Sequence, residues 1–294
     1  MRHAILGAGG VGGLIGACLA KSGDSVTLVV RSEALNSYPK QLQLESPFGA
    51  FSAPVELAST VPDADVVWIA VKATQLASAL TSLPENVSVR AIVPLLNGID
   101  HVSLLREKYG SDRIIPATIA VESERVSPGH IVHRSPFARL NVSSRGRDTL
   151  KDSVAYLQQL GFTCQFVDHE PTLLWSKLVF LAPLALVSTA TGKTTGEMAA
   201  NPTSWQQIQD SVREACAVAQ KEKAEVNAEA VIATIRAIPE HMRSSMQKDV
   251  AQHKPPELDA IAGPILRGAA RHGFDVPVTR HLVAEVEHKV AHHG

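Results

Sequence analysis

The sequence is short of cysteine, of aromatic residues, of net charge and of long uncharged apolar runs. Its 294 residues include three cysteines, Cys18, Cys164 and Cys216, far apart in the chain. An odd number without a CxxC spacing makes neither a disulfide framework nor a zinc site. They are expected as buried small hydrophobes in a reducing compartment. Aromatic residues are 4% of the chain, which leaves little material for base-stacking platforms. Lys plus Arg is 28 against 29 for Asp plus Glu, a net charge of −1, and non-specific nucleic-acid binding needs a basic excess. No apolar stretch reaches the roughly 18 uncharged residues of a membrane span. What remains is a globular composition, 45% apolar and 19% charged. At about 150 residues per domain the length predicts two domains, or one large one.

The two halves are patterned differently. His3-Ala4-Ile5-Leu6, Ser25–Val30 and Val66–Val71 are short apolar or β-branched runs, as buried parallel strands are. Ala91–Leu96 and Ile114–Ile119 are two more, each weakened by a proline. Polar helical patterns separate them, which predicts βαβ units. Ile131–Val142 reads as shorter alternating strands, and Cys164–Val167 as a last one. From about Glu170 onward only helical patterns follow: Leu173–Thr191, Ser204–Val226, Ala228–Ile238, Pro256–His272 and Val276–Val290. The expectation is an α/β fold in which a mostly parallel sheet domain, residues 1–168, precedes an all-helical domain, residues 169–294. Met1-Arg2-His3 followed by glycines suits the start of a cytoplasmic nucleotide-binding fold better than a signal peptide.

Gly7-Ala8-Gly9-Gly10-Val11-Gly12 has the GxGxxG spacing. It follows one predicted strand, opens a helix and precedes a second strand, the context of a dinucleotide-binding turn of Rossmann type. Gly7 permits the tight turn, Gly9 lets backbone approach a pyrophosphate, and Gly12 lets the helix pack on the strand. The phosphates then meet free N–H groups at the helix N-terminus. NAD-binding folds place Asp or Glu after the second strand, whereas this chain has Val30-Arg31-Ser32. Arg31 can pair with a 2′-phosphate, so NADP(H) is expected. The competing reading is a solvated Arg31 with Glu33 on the ribose.

Lys72 ends the run Val66–Val71, and Asn97-Gly98 ends the next, at the strand edge where open α/β sheets bind ligands. Lys177 sits inside the apolar run Leu173–Leu186. It is costly there unless it has a partner or a task, or unless it snorkels to water.

At these residues the chain resembles the ketopantoate reductases (2-dehydropantoate 2-reductases). The resemblance runs through residues 7–13, Arg31, Val71-Lys72-Ala73 and Leu96-Asn97-Gly98. It continues through Trp175-Ser176-Lys177-Leu178, Gly196-Glu197, Ser244-Ser245-Met246 with Asp249, Glu257-Leu258-Asp259 and His272-Gly273. It implies a Rossmann domain followed by a helical domain, NADP(H), and reduction of ketopantoate to pantoate on the route to pantothenate and coenzyme A. Carried over residue by residue, it implies Lys177 as general acid and Glu257 as the carboxylate that orients substrate and helps hold Lys177 charged. Asn97 and Ser245 become hydrogen-bonding contacts, and Lys72 a lysine near the cofactor. For Ser245 a helix cap is the rival reading, for Asn97 an Asn-Gly turn, and for Glu257 a helix N-terminal carboxylate.

The resemblance breaks at Leu181 and Ala185, where the family carries asparagines on the face of Lys177, and at Pro256 in place of threonine. The expected wall is more apolar, which leaves open a different keto acid or imine, or a non-catalytic NADP(H) redox sensor. Glu122, Glu124, His133 and His169 are weaker candidates, with loop, surface or core roles preferred. The tail histidines His288, His292 and His293 lack a carboxylate or cysteine set, and no metal is expected. The partner is expected to be a small keto acid, with no nucleic acid or membrane, and the helical half offers a surface for a homodimer.

Overall fold

A computed structural model describes residues 1–292. The chain divides into two compact units: Met1–Leu96 with His101–Glu170, and Asn97–Asp100 with Pro171 onward. The four residues Asn97–Asp100 are thus part of the second unit, which a single boundary near residue 168 does not anticipate.

The first unit runs β1 (Arg2–Leu6), α1 (Gly10–Lys21), β2 (Ser25–Val29), β3 (Gln41–Glu45), β4 (Phe51–Pro54), β5 (Glu56–Ala58), β6 (Val66–Ile69) and α2 (Leu76–Ala79). It continues with β7 (Ala91–Pro94), α3 (His101–Tyr109), β8 (Ala117–Ala120), β9 (Ser123–Ser127), β10 (His130–His133), β11 (Arg139–Ser143), α4 (Arg147–Gln159) and β12 (Thr163–Val167). Five strands form a wholly parallel sheet in the order β5-β2-β1-β6-β7. The chain leaves β1 to one side for β2 and to the other for β6. The strand order therefore reverses beside β1, the place where such sheets bind ligands at their carboxyl ends.

Two smaller sheets, β4-β3-β10-β9 and β12-β11-β8, mix parallel and antiparallel pairs. Pro116 lies just outside β8, where its missing N–H costs no ladder bond, and Ile114 makes only a single bridge to Ile92. Strands β3 and β4 are absent from the apolar runs because they bury one face only. Gln41-Leu42-Gln43-Leu44-Glu45 alternates exposed and buried, and that period of two is the signal that marks it. Trp68 is fully buried in the core of this unit and donates its indole N–H to Nδ1 of the buried His3.

The second unit is helical: α5 (Glu170–Thr191), α6 (Thr195–Ala200), α7 (Pro202–Lys221), α8 (Ala228–Arg236), α9 (Ser245–Ala251), α10 (Leu258–His272) and α11 (Pro277–His292). Helix α7 ends at Lys221, short of the expected Val226, and α6 and α9 are too short to show as periodic patterns. Asn201, Asn227 and Ser244 cap α7, α8 and α9 by accepting from the backbone N–H three residues on. By length and composition α5 suffices to cross a bilayer. However, 67% of its most apolar 18-residue window is buried inside the protein, as in a core helix. Val179, Ala182, Ala185, Leu186 and Val187 of α5 have no exposed surface and pack in this unit's core with Ile208, Val212, Ile261 and Leu282. All three cysteines are buried; burial pushes the Cys18 thiol up to about 12 and those of Cys164 and Cys216 to about 11. They are inert fillers at neutral pH.

Candidate functional site

In the first unit the glycine turn joins β1 to α1 at the carboxyl edge of the parallel sheet. Gly7 has φ +110°, and a Cβ there would lie 2.8 Å from the backbone of Ala70 and Val71. At Gly12 a Cβ would meet the Gly7 carbonyl oxygen at 2.0 Å, and at Gly10 the Ser123 carbonyl oxygen at 2.0 Å. Ser123 in turn donates its hydroxyl to the Gly10 carbonyl at 2.9 Å, so β9 fixes the start of α1. Gly9 differs: a Cβ there would meet nothing within 4 Å. Its glycine is not demanded by packing, and the open space lies at the N-cap of a helix with no side-chain cap and no acid in its first turn. That is a cradle suited to phosphate. Ala8 and Val11 complete the turn, and Tyr38 donates its hydroxyl to the Ala8 carbonyl from below.

Arg31 follows β2, is exposed, and opens a single 3-10 turn, Ser32–Ala34, which contains Glu33. Lys72 is partly buried and opens a similar turn, Ala73–Gln75, one residue after the Val71 that packs on Gly7. The structure therefore brings residues 7–12 and the segment carrying Lys72 together at one sheet edge.

In the second unit three residues converge. Lys177 Nζ donates to Asn97 Oδ1 at 2.9 Å, and Asn97 Nδ2 donates to Glu257 Oε2 at 3.0 Å. Lys177 projects from α5, Glu257 is the residue that opens α10, and Asn97 comes from the short segment 97–100. Glu257 is buried and makes no side-chain cap with its own helix. It accepts instead from the Asn97 side-chain amide. Lys177 is partly buried. Burial pulls its ammonium from 10.5 down to about 8, and the Glu257 charge works against that fall. An amine so placed can exchange a proton at near-neutral pH.

On the same face of α5, four and eight residues after Lys177, stand Leu181 and Ala185, the first partly buried and the second fully. The next hydroxyl along α5, Ser188, hydrogen-bonds Ser244 at 2.8 Å. The helix cap foreseen at Ser245 belongs instead to Ser244, which accepts from the Gln247 N–H at 3.1 Å. Ser245 is the exposed first residue of α9, and among the described residues no hydrogen bond joins it to Lys177, Asn97 or Glu257.

Of the weaker candidates, Glu122 and Glu124 flank Ser123 beside the glycine turn. His133 is buried and committed on both ring nitrogens, to Ser46 on one side and to Ser135 and the Phe137 carbonyl on the other; burial lowers its pKa. Glu124 is an exposed partner of Arg134, Glu122 is partly buried beside it, and His169 is exposed. His288 and His292 stack as exposed rings 4.0 Å apart, while His293 lies outside the described residues. Among the described residues no group of three His, Cys, Asp or Glu is placed to hold a metal. The residues that local reasoning misses are Asp100 and Arg267. Arg267 donates to Asp259 at 2.7 Å and also to Asp100, which braces the segment carrying Asn97.

A family model described as ketopantoate reductase PanE/ApbA matches residues 3–146, and its C-terminal counterpart matches residues 172–290. By sequence the chain is 31% identical over 293 residues to the 2-dehydropantoate 2-reductase of Caulobacter vibrioides, covering 96% of each chain. It is 27% identical over 298 residues, 98% of each chain, to an uncharacterized oxidoreductase, YkpB, of Bacillus subtilis. Among solved structures it is similar to a PanE/ApbA family ketopantoate reductase from Ralstonia eutropha, with a TM-score of 0.87 and 26% identity over 100% of this chain and 99% of that one. It also shares its fold with a D-mandelate dehydrogenase solved with NADH and anilino(oxo)acetate, with a TM-score of 0.86 and 23% identity over 100% and 99% of the two chains.

Proposed function

The chain belongs to the PanE/ApbA family of ketopantoate reductases, and from that premise we propose that it reduces a 2-keto acid to a 2-hydroxy acid with NADPH. Ketopantoate is the first substrate to test, and pantoate its product, as a step of pantothenate synthesis in the cytoplasm. The observation that carries the reading is the chain Lys177–Asn97–Glu257, with its ammonium brought down to about 8. When bound, the nicotinamide cofactor supplies the hydride. The protein's own residues do the rest. As negative charge grows on the keto oxygen, the Lys177 ammonium stabilises it and delivers the proton that makes the hydroxyl. Asn97 fixes the direction of that ammonium, and Glu257 keeps it charged and orients the substrate. The first unit then acts as the cofactor domain and the second as the substrate domain.

The phosphate cradle at Gly7–Gly12 fits a dinucleotide. Arg31, exposed at the end of β2 with no acid at positions 30 to 32, supports the 2′-phosphorylated form. Lys72, beside the turn, adds a cation for the cofactor, and Ser245 remains a substrate contact to be tested by substitution. The deciding experiment is absorbance at 340 nm with a panel of 2-keto acids, with NADPH and NADH side by side. Turnover of at least one keto acid with a preference for NADPH is expected. Tight NADPH binding without turnover of any keto acid overturns the reading in favour of a redox sensor.

Leu181 and Ala185 favour a second reading on the same chemistry: a 2-keto acid whose substituent is branched or aromatic and carries no hydroxyl. A pocket built to bond a hydroxyl and one lacking those bonds discriminate by orders of magnitude. The same panel therefore separates the two readings.

A further inference from the structure

We infer that Arg267 is a positioning residue: by tying Asp100 to Asp259 it holds the segment Asn97–Asp100 on the start of α10 and so keeps Asn97 between Lys177 and Glu257. The inference rests on the reading of Lys177 as proton donor.

Asn97 needs help to do its work. Its amide must present oxygen to Lys177 and nitrogen to Glu257 at once, at 2.9 and 3.0 Å. A displacement of about 1 Å or a rotation of the amide breaks one of the two bonds. Yet Asn97 sits on a four-residue segment with no helix or strand of its own. Three features pin that segment. Gly98 has φ +81°, and a Cβ there would lie 2.2 Å from the Ala260 carbonyl oxygen, so backbone packs directly on α10. One residue further on, Ile99 packs into the apolar core of the second unit. Next, Asp100 accepts from Arg267 Nη2, while Arg267 Nη1 donates to Asp259 Oδ1 at 2.7 Å.

Room for this clamp is built into α10. A Cβ at Gly263 would lie 2.3 Å from Arg267 Nη2 and 2.6 Å from Asp259 Oδ1. A glycine there leaves the space that the guanidinium occupies. The ion pairs are too exposed to matter much for stability, since such pairs contribute little in water. Their consequence is geometric: Asp259 is two residues after Glu257, so Arg267 links the Asn97 segment to the same helix turn that carries Asn97's carboxylate partner.

The test compares Arg267→Met, Asn97→Ala and the double variant on the full chain. Two readouts are taken. The first is turnover with the best keto acid. The second is the pKa of the Lys177 amine, from trace acetic anhydride labelling across pH with mass spectrometry of the Lys177 peptide, which needs no turnover. Arg267→Met is expected to lower kcat about tenfold with KM within about threefold, as misplaced groups do. It is also expected to move the Lys177 pKa downward, as Asn97→Ala does, because the ammonium loses its acceptor. In the double variant both readouts should equal those of Asn97→Ala alone, because Arg267 acts only through Asn97. Asp100→Asn should reproduce Arg267→Met with a smaller local change, and Arg267→Lys should restore part of the loss.

Wild-type labelling and kcat in Arg267→Met, or losses that multiply in the double variant, would overturn the inference. If the wild type turns over no keto acid, the proposed reaction fails, while the labelling still decides whether the clamp holds Asn97 on Lys177.

Discussion

Lys177 donates a hydrogen bond from Nζ to Oδ1 of Asn97 at 2.9 Å across a sequence separation of 80 residues. The contact fixes the direction of a charge that the apolar run of α5 would otherwise leave free to snorkel. It also relays that charge to Glu257, because the same amide donates to the carboxylate at 3.0 Å. The second unit thereby joins Lys177 to Glu257 through an amide, not by direct contact of the two charged groups. A direct pair would hold the proton too firmly to give away.

On the proposed role of Lys177 as proton donor, the rate is expected to depend on pH in a definite direction. Burial brings the ammonium to about 8, and only the protonated form donates. So kcat/KM is expected to be flat below about pH 8 and to fall about tenfold per pH unit above it. Lys177→Ala should cost about 10²-fold or more and abolish that limb. Initial rates from pH 6 to 10 with saturating cofactor check both. A Lys177→Ala rate within about tenfold of wild type would remove the general-acid role.

Glu257→Gln separates charge from hydrogen bonding. Glutamine keeps an oxygen for the Asn97 N–H but loses the negative charge that opposes the fall in the Lys177 pKa. The alkaline limb should move to lower pH by about one unit, with the protein still folded. An unmoved limb would mean that the carboxylate does not reach Lys177 electrostatically.

These relations explain what was legible in the sequence. The glycine turn is local: seven consecutive residues carry strand end, turn and helix start, so spacing alone reveals it. Lys177 stands out because a lysine inside Leu173–Leu186 violates the pattern around it. Asn97 shows as an Asn-Gly turn, but its double bond does not, because its partners stand 80 and 160 residues further along the chain. Arg267 carries no local mark at all; eight residues separate it from Asp259 and 167 from Asp100. The helix cap falls one residue before the expected Ser245 because Ser244 and Ser245 are chemically alike, and only the backbone turn decides which accepts from Gln247.

Cofactor choice is expected to rest on Arg31. Replacing it by glutamate puts an acid where a 2′-phosphate would lie and a ribose hydroxyl donor would be welcome. Arg31→Glu should lower kcat/KM for NADPH about 10- to 100-fold, the worth of a charge-assisted pair. For NADH it should change less than about threefold. Arg31 is exposed, so the fold should not suffer. Equal losses with both cofactors would show that Arg31 does not read the phosphate, and Glu33→Gln would then become the informative variant.

Gly9 and Gly10 are neighbours whose alanine variants should fail differently. At Gly10 the new Cβ would stand 2.0 Å from the Ser123 carbonyl oxygen, so β9 or the start of α1 must shift. Overpacking of that kind costs about 1–3 kcal/mol, and Gly10→Ala should lower Tm by several degrees as well as weaken cofactor binding. At Gly9 the Cβ would meet nothing within 4 Å, and the backbone there, φ −87°, admits alanine. Gly9→Ala should therefore keep Tm within about 2 °C. It should nonetheless raise the NADPH Kd at least about tenfold, because the methyl enters the space where backbone N–H groups would face the pyrophosphate. Thermal melts and fluorescence titration with NADPH give both numbers on one preparation. Wild-type NADPH affinity in Gly9→Ala would show that the phosphates do not lie over this turn.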